Sequence, residues 1–162
     1  MAGKSAVVTG SLPCPVVIVT VTGTQRDAMT ATAIFVSEDP PLLSVSVAEH
    51  VLSHDLLQEA GEFVVNLATP EQLELVKQLG STHGRDVDKF ERFGIVTESS
   101  ENVRAPRIAG SYACLECRVV ASHRAAGYRV YTAEVVGHVV HKDKSPLVWH
   151  QGRYFTLDGP VR

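Results

Sequence analysis

Along much of the chain apolar residues alternate with polar ones in short runs, the period-two spacing of strands that bury one face. The run PCPVVIVTVTGTQ, rich in Val, Ile and Thr and bounded by Pro15 and Gly23, predicts a buried strand ending in a turn. A second strand is expected over 30–35, with Thr30 and Thr32 on one face and Ala31 and Ala33 on the other. Pro40 and Pro41 force an extended turn, and in 42–47 Leu43, Val45 and Val47 alternate with Ser44 and Ser46 as a third strand. A helix over 53–60 follows, stopped by Gly61, and then the strand EFVVNLA. Thr69 and Pro70 open a further helix, with Thr69 as N-cap, Leu73, Val76 and Leu79 as its apolar face, and Gly80 near its end. Residues 95–109 read as irregular. Two long strands, 112–122 and 129–141, then pair antiparallel through HRAAGY, with Gly127 at the turn. The stretch from Trp149 to Phe155 predicts a terminal hairpin whose aromatics cover a core or meet another subunit.

The tally is roughly seven strands with two or three inserted helices. Strands and helices do not alternate regularly, which argues against a doubly wound parallel sheet. The expected fold is mainly β, an antiparallel barrel with helical insertions. A chain of 162 residues fits a single domain, 1–162, with a sizeable core, and 44% hydrophobic with 20% charged residues is ordinary for a soluble globular protein. The net charge of -3 gives no electrostatic basis for binding nucleic acid or an anionic membrane, so any anion site must be local. The lead MAGKSAVVTGSL lacks the apolar core of a secretory signal, and no later run is long enough to span a membrane, so a cytoplasmic protein is expected. There is no G-x-G-x-x-G after the first strand, no G-x-x-x-x-G-K-[ST], no G-x-S-x-G and no H-E-x-x-H. The usual nucleotide folds and hydrolase elbows are disfavoured.

Three places carry candidate chemistry. Ser53 precedes His54, Asp55 and the apolar pair Leu56 and Leu57, the pattern of an N-cap with an acid in the first turn. Such a helix start either only caps a surface helix or presents free N–H groups to a phosphate. Arg85 and Lys89, in STHGRDVDKF, lie four apart and on one side of a helical turn if the segment is helical. There they reach one phosphate together or pair with Asp86, Asp88 and Glu91 as a solvated face. Cys114 and Cys117 form a C-x-x-C inside a strand, where side chains three apart point to opposite faces. The expectation is one buried core cysteine, one outward cysteine and no metal site, since no second pair completes a ligand set.

Taken together, Pro15-Val16-Val17, Met29-Thr30-Ala31-Thr32, Ser37-Glu38-Asp39-Pro40-Pro41-Leu42, Phe63-Val64-Val65-Asn66-Leu67, Asp88-Lys89-Phe90 and Glu116-Cys117-Arg118 give the chain a family likeness over residues 13–157. It resembles the flavin reductase-like, FMN-binding split-barrel family, and HDLLQEAG with LGSTHGRDVDKF brings it nearest the flavoredoxin-like and small-reductase-component branch. The resemblance implies a Greek-key split barrel, a homodimer, and a flavin, FMN or alternatively FAD, near the dimer interface. It implies that Met29, Thr30, Ala31 and Thr32 lie along the isoalloxazine ring. The loop of Ala48, Glu49, His50, Ser53 and His54 would wrap the ribityl phosphate, with Ser81, Arg85 and Lys89 as its further partners. The implied reaction passes a hydride from NADH or NADPH to flavin N5, with Thr30 or Thr32 hydroxyls bonding N5, and delivers reduced flavin to a monooxygenase or another electron acceptor.

One position departs from the family pattern. Tyr128 stands where many members carry the histidine of a Gly-Asp-His associated with the nicotinamide site. A tyrosine stacks on a ring but takes no positive charge near neutral pH. Two functions are therefore carried forward: an NAD(P)H-dependent flavin reductase, and a flavoredoxin-like FMN electron-transfer protein that keeps its flavin and does not use NAD(P)H.

Overall fold

The computed structural model describes residues 8–161, so Met1 to Val7, the start of the lead read above, lie outside the described residues. The Val-rich run becomes β1 (Cys14–Thr22), and the Thr/Ala segment extends at both ends into β2 (Arg26–Ser37). After them come β3 (Leu42–Ala48), α1 (Leu52–Ala60), β4 (Glu62–Leu67), a short 3-10 turn (Pro70–Gln72), α2 (Leu73–Ser81) and α3 (Lys89–Arg92). The second half holds β5 (Thr97–Glu98), β6 (Arg107–Ile108), β7 (Ala113–Ala125), β8 (Tyr128–Val140), β9 (Leu147–His150) and β10 (Arg153–Thr156). The stretch 95–109 is less irregular than its sequence suggests, because β5 and β6 pair within it.

All pairings are antiparallel. Six strands in the order β1-β2-β3-β8-β7-β4 close into a barrel when β4 pairs back to β1. The barrel is split at β1. Val17 to Thr20 pair with β4, whereas Cys14 and Pro15 pair with β9, which carries the terminal hairpin partner β10. Proline has no N–H for a ladder, so Pro15 suits the point where one neighbour gives way to another. The β7–β8 hairpin turns through Ala126 and Gly127 at φ 47 and 81, the two positive values that a two-residue turn of this hand demands.

The alternation read from the sequence decides the packing. Leu43, Val45 and Val47 point into the barrel with Val17, Val19, Val21, Phe63 and Val65, while Leu52, Leu56 and Leu57 of α1 close one end. Val76 and Leu79 of α2 cover the outer face of β1 and β2 with Ile18, Ala28 and Phe90. Thr69 opens this region as expected: its backbone N–H donates to Gln72 Oε1 at 3.1 Å.

Both cysteines of the C-x-x-C are buried, which corrects the expectation of an outward one. They do lie in different clusters, Cys117 in the barrel and Cys114 beside Val64, Val103 and Ala105, because β7 is covered on both faces. Burial pushes their thiols up, Cys114 to about 11 and Cys117 to about 12. Among the described residues, no group of three or more His, Cys, Asp or Glu could hold a metal, and no helix is long and apolar enough to cross a membrane.

Candidate functional site

The first half of β2, the β3–α1 loop and the end of α2 with the turns after it enclose a cleft of about 620 Å3. Its size is that of a cofactor or small-ligand site. Met29, Thr30, Ala31, Ala48, His50 and Ser53 line it, and Ser81, Arg85, Lys89 and Tyr128 complete its wall. These residues, nominated from distant parts of the sequence, converge. Thr32, Glu49 and His54 do not line the cleft. Thr32 points to solvent. Glu49 is turned to the β7–β8 hairpin, with Oε2 2.9 Å from Arg124 and Oε1 3.9 Å from Arg129. His54 packs its ring against Tyr131, and its Nε2 is buried with no partner.

The helix start is present, with a different cap. Val51, not Ser53, is the N-cap of α1, and it offers no side-chain cap. The opening N–H groups of α1 therefore go uncapped by a side chain at a place where Val51, Leu52 and Ser53 line the cleft. With the helix dipole behind them they favour an anion. Ser53 is fully buried and donates to Asp27 Oδ2 at 2.5 Å. The cap reading fails because the helix already begins at Leu52, which puts Ser53 inside its first turn rather than before it.

Arg85 and Lys89 have separate duties. Asp88 caps α3, accepting from the N–H groups of Phe90 and Glu91, so a new helix begins at Lys89 and the two cations do not share a turn. Arg85 Nη2 donates to Asp55 Oδ2 at 2.6 Å, and with Nε also reaches the His50 carbonyl. Its Nη1 keeps no described partner beside the start of α1. The Arg85 hydrogen bond holds the Asp55 carboxyl below its usual range. Lys89, whose side chain is 4% exposed, puts Nζ 2.7 Å from the Ala28 carbonyl and 3.2 Å from Asp27 Oδ1. It neutralises Asp27 under the cleft floor, so of the two cations Arg85 is the one with a nitrogen left toward the cleft.

Asp27 is the residue that sequence reasoning missed. Its carboxylate, 3% exposed, joins β2 to Ser53 of α1 and Lys89 of α3. Gly84 passes so close that a Cβ there would lie 2.7 Å from Asp27 Cγ. The available signal was an acid at the mouth of an apolar strand, with no partner near in sequence.

Two further side chains qualify the expected roles. Thr30 donates its hydroxyl proton to the Val76 carbonyl at 2.5 Å, so that oxygen can only accept from a ligand. Tyr128, 51% exposed, begins β8 opposite Ala48 and stands at the cleft wall with its ring available for stacking.

A six-stranded split barrel with inserted helices is the fold of the flavin reductase class. The chain belongs to the flavin reductase like domain family, whose model matches residues 9–158. An NADH-dependent FMN reductase of Streptomyces nodosus subsp. asukaensis is 34% identical over 93% of this chain and 82% of its own. A protein of Archaeoglobus fulgidus without assigned activity is 35% identical over 66% of this chain, a match that spans 60% of that protein's length. Among solved structures, the NADH:FAD oxidoreductase of Streptomyces globisporus superposes with a TM-score of 0.89 at 25% identity, covering 96% of this chain and 93% of the other. The flavin reductase component of a bacterial two-component tryptophan halogenase gives 0.85 at 27% identity, with both chains covered completely at 100%.

Proposed function

We propose that the cleft binds a flavin with its phosphate at the start of α1 and Arg85, and that the chain is an NADH-dependent flavin reductase delivering reduced flavin to a partner oxygenase or halogenase. The observation that carries this reading is convergence: the uncapped N-terminus of α1, Arg85 and the Met29-Thr30-Ala31 stretch line one cleft. Relatives named as NADH-dependent FMN or FAD reductases support the activity. The flavin, when bound, supplies the hydride acceptor. The chain's own part is to hold the phosphate with backbone N–H groups and Arg85, to let the ring approach β2 where side chains are small, and to offer Tyr128 as an aromatic face. Tyr128 in place of histidine also supports the second reading, an FMN electron carrier that does not use NAD(P)H.

The proposed protein is one flavin-binding unit over 1–162, works in the cytoplasm and is a homodimer. Three consecutive apolar residues of β2, Ile34, Phe35 and Val36, are exposed at 68%, 69% and 44%, and Ile34 and Phe35 rim the apolar open mouth of the barrel. That is more apolar surface than a strand usually leaves in water, and a second copy would cover it. A sizing measurement that returns a monomer ends the dimer proposal.

The functional test is an anaerobic absorbance titration of the chain with FMN or FAD, adding NADH and then NADPH. Catalytic bleaching of the flavin band with NADH is the expected result. Bound flavin that bleaches with dithionite but with neither nucleotide would replace the reductase by the electron carrier.

A further inference from the structure

The arginine at the phosphate end of the cleft is held along one edge. Arg85 Nη2 donates to Asp55 Oδ2 at 2.6 Å, and Nε and Nη2 reach the His50 carbonyl at 3.4 and 3.3 Å. The two acceptors come from different pieces of chain, His50 from the β3–α1 loop and Asp55 from the first turn of α1. Nε and Nη2 form one side of the planar guanidinium, so holding both fixes the plane and leaves Nη1 for another acceptor. Arg85 lines the cleft, whereas Asp55 does not.

Asp55 has the wrong charge for this place. Its carboxylate shares the opening turn of α1 with the N–H groups that favour an anion, and by charge alone it repels a phosphate. Nor does its pair with Arg85 add much stability, since the two side chains are 52% and 49% exposed and solvent screens them. What the pair supplies is orientation. A free arginine loses the mobility of a long side chain when it grips a ligand, and one already pinned along an edge has lost most of it beforehand. The carboxylate is steadied in turn: Asp55 Oδ1 lies 3.4 Å from His54 Nδ1, and the His54 ring packs against Tyr131 of the barrel core. We infer that Asp55 is a positioning residue, which holds Arg85 with Nη1 toward the phosphate and so strengthens the binding of an anion despite its own negative charge. The inference rests on the flavin reading of the cleft and adds to it a residue outside the cleft that acts through Arg85.

The test compares FMN with riboflavin, which lacks only the phosphate, by fluorescence-quenching titration of the full chain. In Asp55→Ala, FMN binds about three- to tenfold more weakly, the range for one long side chain left to be ordered on binding, while riboflavin binds as before. In Asp55→Asn, which keeps an oxygen for Nη2 and drops the charge, most of the FMN affinity returns. In an Arg85→Ala background, Asp55→Ala weakens FMN binding no further. FMN binding that is unchanged or tighter in Asp55→Ala, as charge repulsion alone would give, overturns the inference. So does an equal loss for FMN and riboflavin, an equal loss in the Arg85→Ala background, or an Asp55→Asn variant no better than Asp55→Ala. Each of these leaves the flavin reading in place, whereas binding of neither FMN nor riboflavin to the unaltered chain overturns that reading and this inference together.

Discussion

Replacing Asp27 by asparagine removes one charge from a buried network and almost no volume. In the native chain the carboxylate accepts from Ser53 Oγ at 2.5 Å and faces Lys89 Nζ at 3.2 Å, with Asp27 3% and Lys89 4% exposed. The amide keeps one oxygen for two donors and turns its NH2 group toward the other. Lys89 retains its bond to the Ala28 carbonyl but loses its counter-charge. Removing one partner of a buried pair costs about 3–5 kcal/mol, and since Asn is isosteric and still accepts one bond, about 3 kcal/mol is expected. The loss is read as the drop in urea unfolding free energy. A second variant separates charge from packing. Adding Lys89→Met to Asp27→Asn removes the stranded ammonium, and stability recovers to within about 1–2 kcal/mol of the parent, the remainder reflecting the lost bond to Ala28. Because Ser53, Lys89 and Gly84 all line the cleft, the single variant also loses flavin affinity, and added flavin recovers part of the lost stability by mass action. A single variant within about 1 kcal/mol of the parent, or a double variant less stable than the single, refutes the claim that Asp27 and Lys89 form a charge pair organising the cleft.

Other measurements probe the rest of the molecule. Gly84→Ala drives a Cβ into the Asp27 carboxylate, so flavin affinity falls at least about tenfold while the far hairpin, β9 and β10, is unaffected by hydrogen exchange. Burial disfavours ionisation of Glu116, but the N–H groups of Glu101 and Asn102, the Asn102 amide and the Arg107 guanidinium outweigh it and hold the carboxyl below its ordinary value of 4.5. With the folded-state value depressed, this stabilisation is complete above pH 4.5 and is lost as pH falls through the folded-state value. Urea midpoints measured down to acid should show that loss, and Glu116→Gln, already destabilised at neutral pH, should show a smaller one. A thiol reagent at neutral pH should label Cys14 first and Cys114 and Cys117 only after unfolding, since both are buried and their thiols are pushed up to about 11 and 12. Rapid labelling of all three cysteines in the native chain contradicts the packing described.

The strands were legible because period-two alternation reports burial directly, as Leu43, Val45 and Val47 illustrate. The Thr69 and Gln72 pairing was legible because both partners lie within one turn. What local reading could not supply was any partner brought in by closing the barrel. Asp27 meets Ser53 26 positions later and Lys89 62 positions later (89 − 27 = 62), so the burial of neither Lys89 nor Ser53 could be read from nearby residues. The four-residue spacing of Arg85 and Lys89 misled for a local reason. Asp88 is a good N-cap directly before Lys89, and a cap interrupts the helical register that the spacing presupposes. For the cysteines, opposite faces of β7 did not mean one inside and one outside, because the chain from 101 to 108 covers the face that Cys114 presents.

Three of the hydroxyls around the cleft are committed inward. Thr30 donates to Val76, Ser53 to Asp27, and Ser81 to Lys77 in its own helix. Toward a ligand these oxygens have lone pairs to offer and no protons. Among the donors that face the cleft are the first N–H groups of α1 and, beside them, the Nη1 edge of Arg85. A site built this way offers donors suited to an anion at one end and leaves a strand of small side chains at the other. Such a division suits a cofactor that brings its own reactivity, with the protein supplying grip and access. It also fits the lack of hydrolase and metalloprotease motifs in the sequence: a cofactor that carries the reactivity asks the side chains for no acid, base or nucleophile, and Tyr128 at the wall adds an aromatic face.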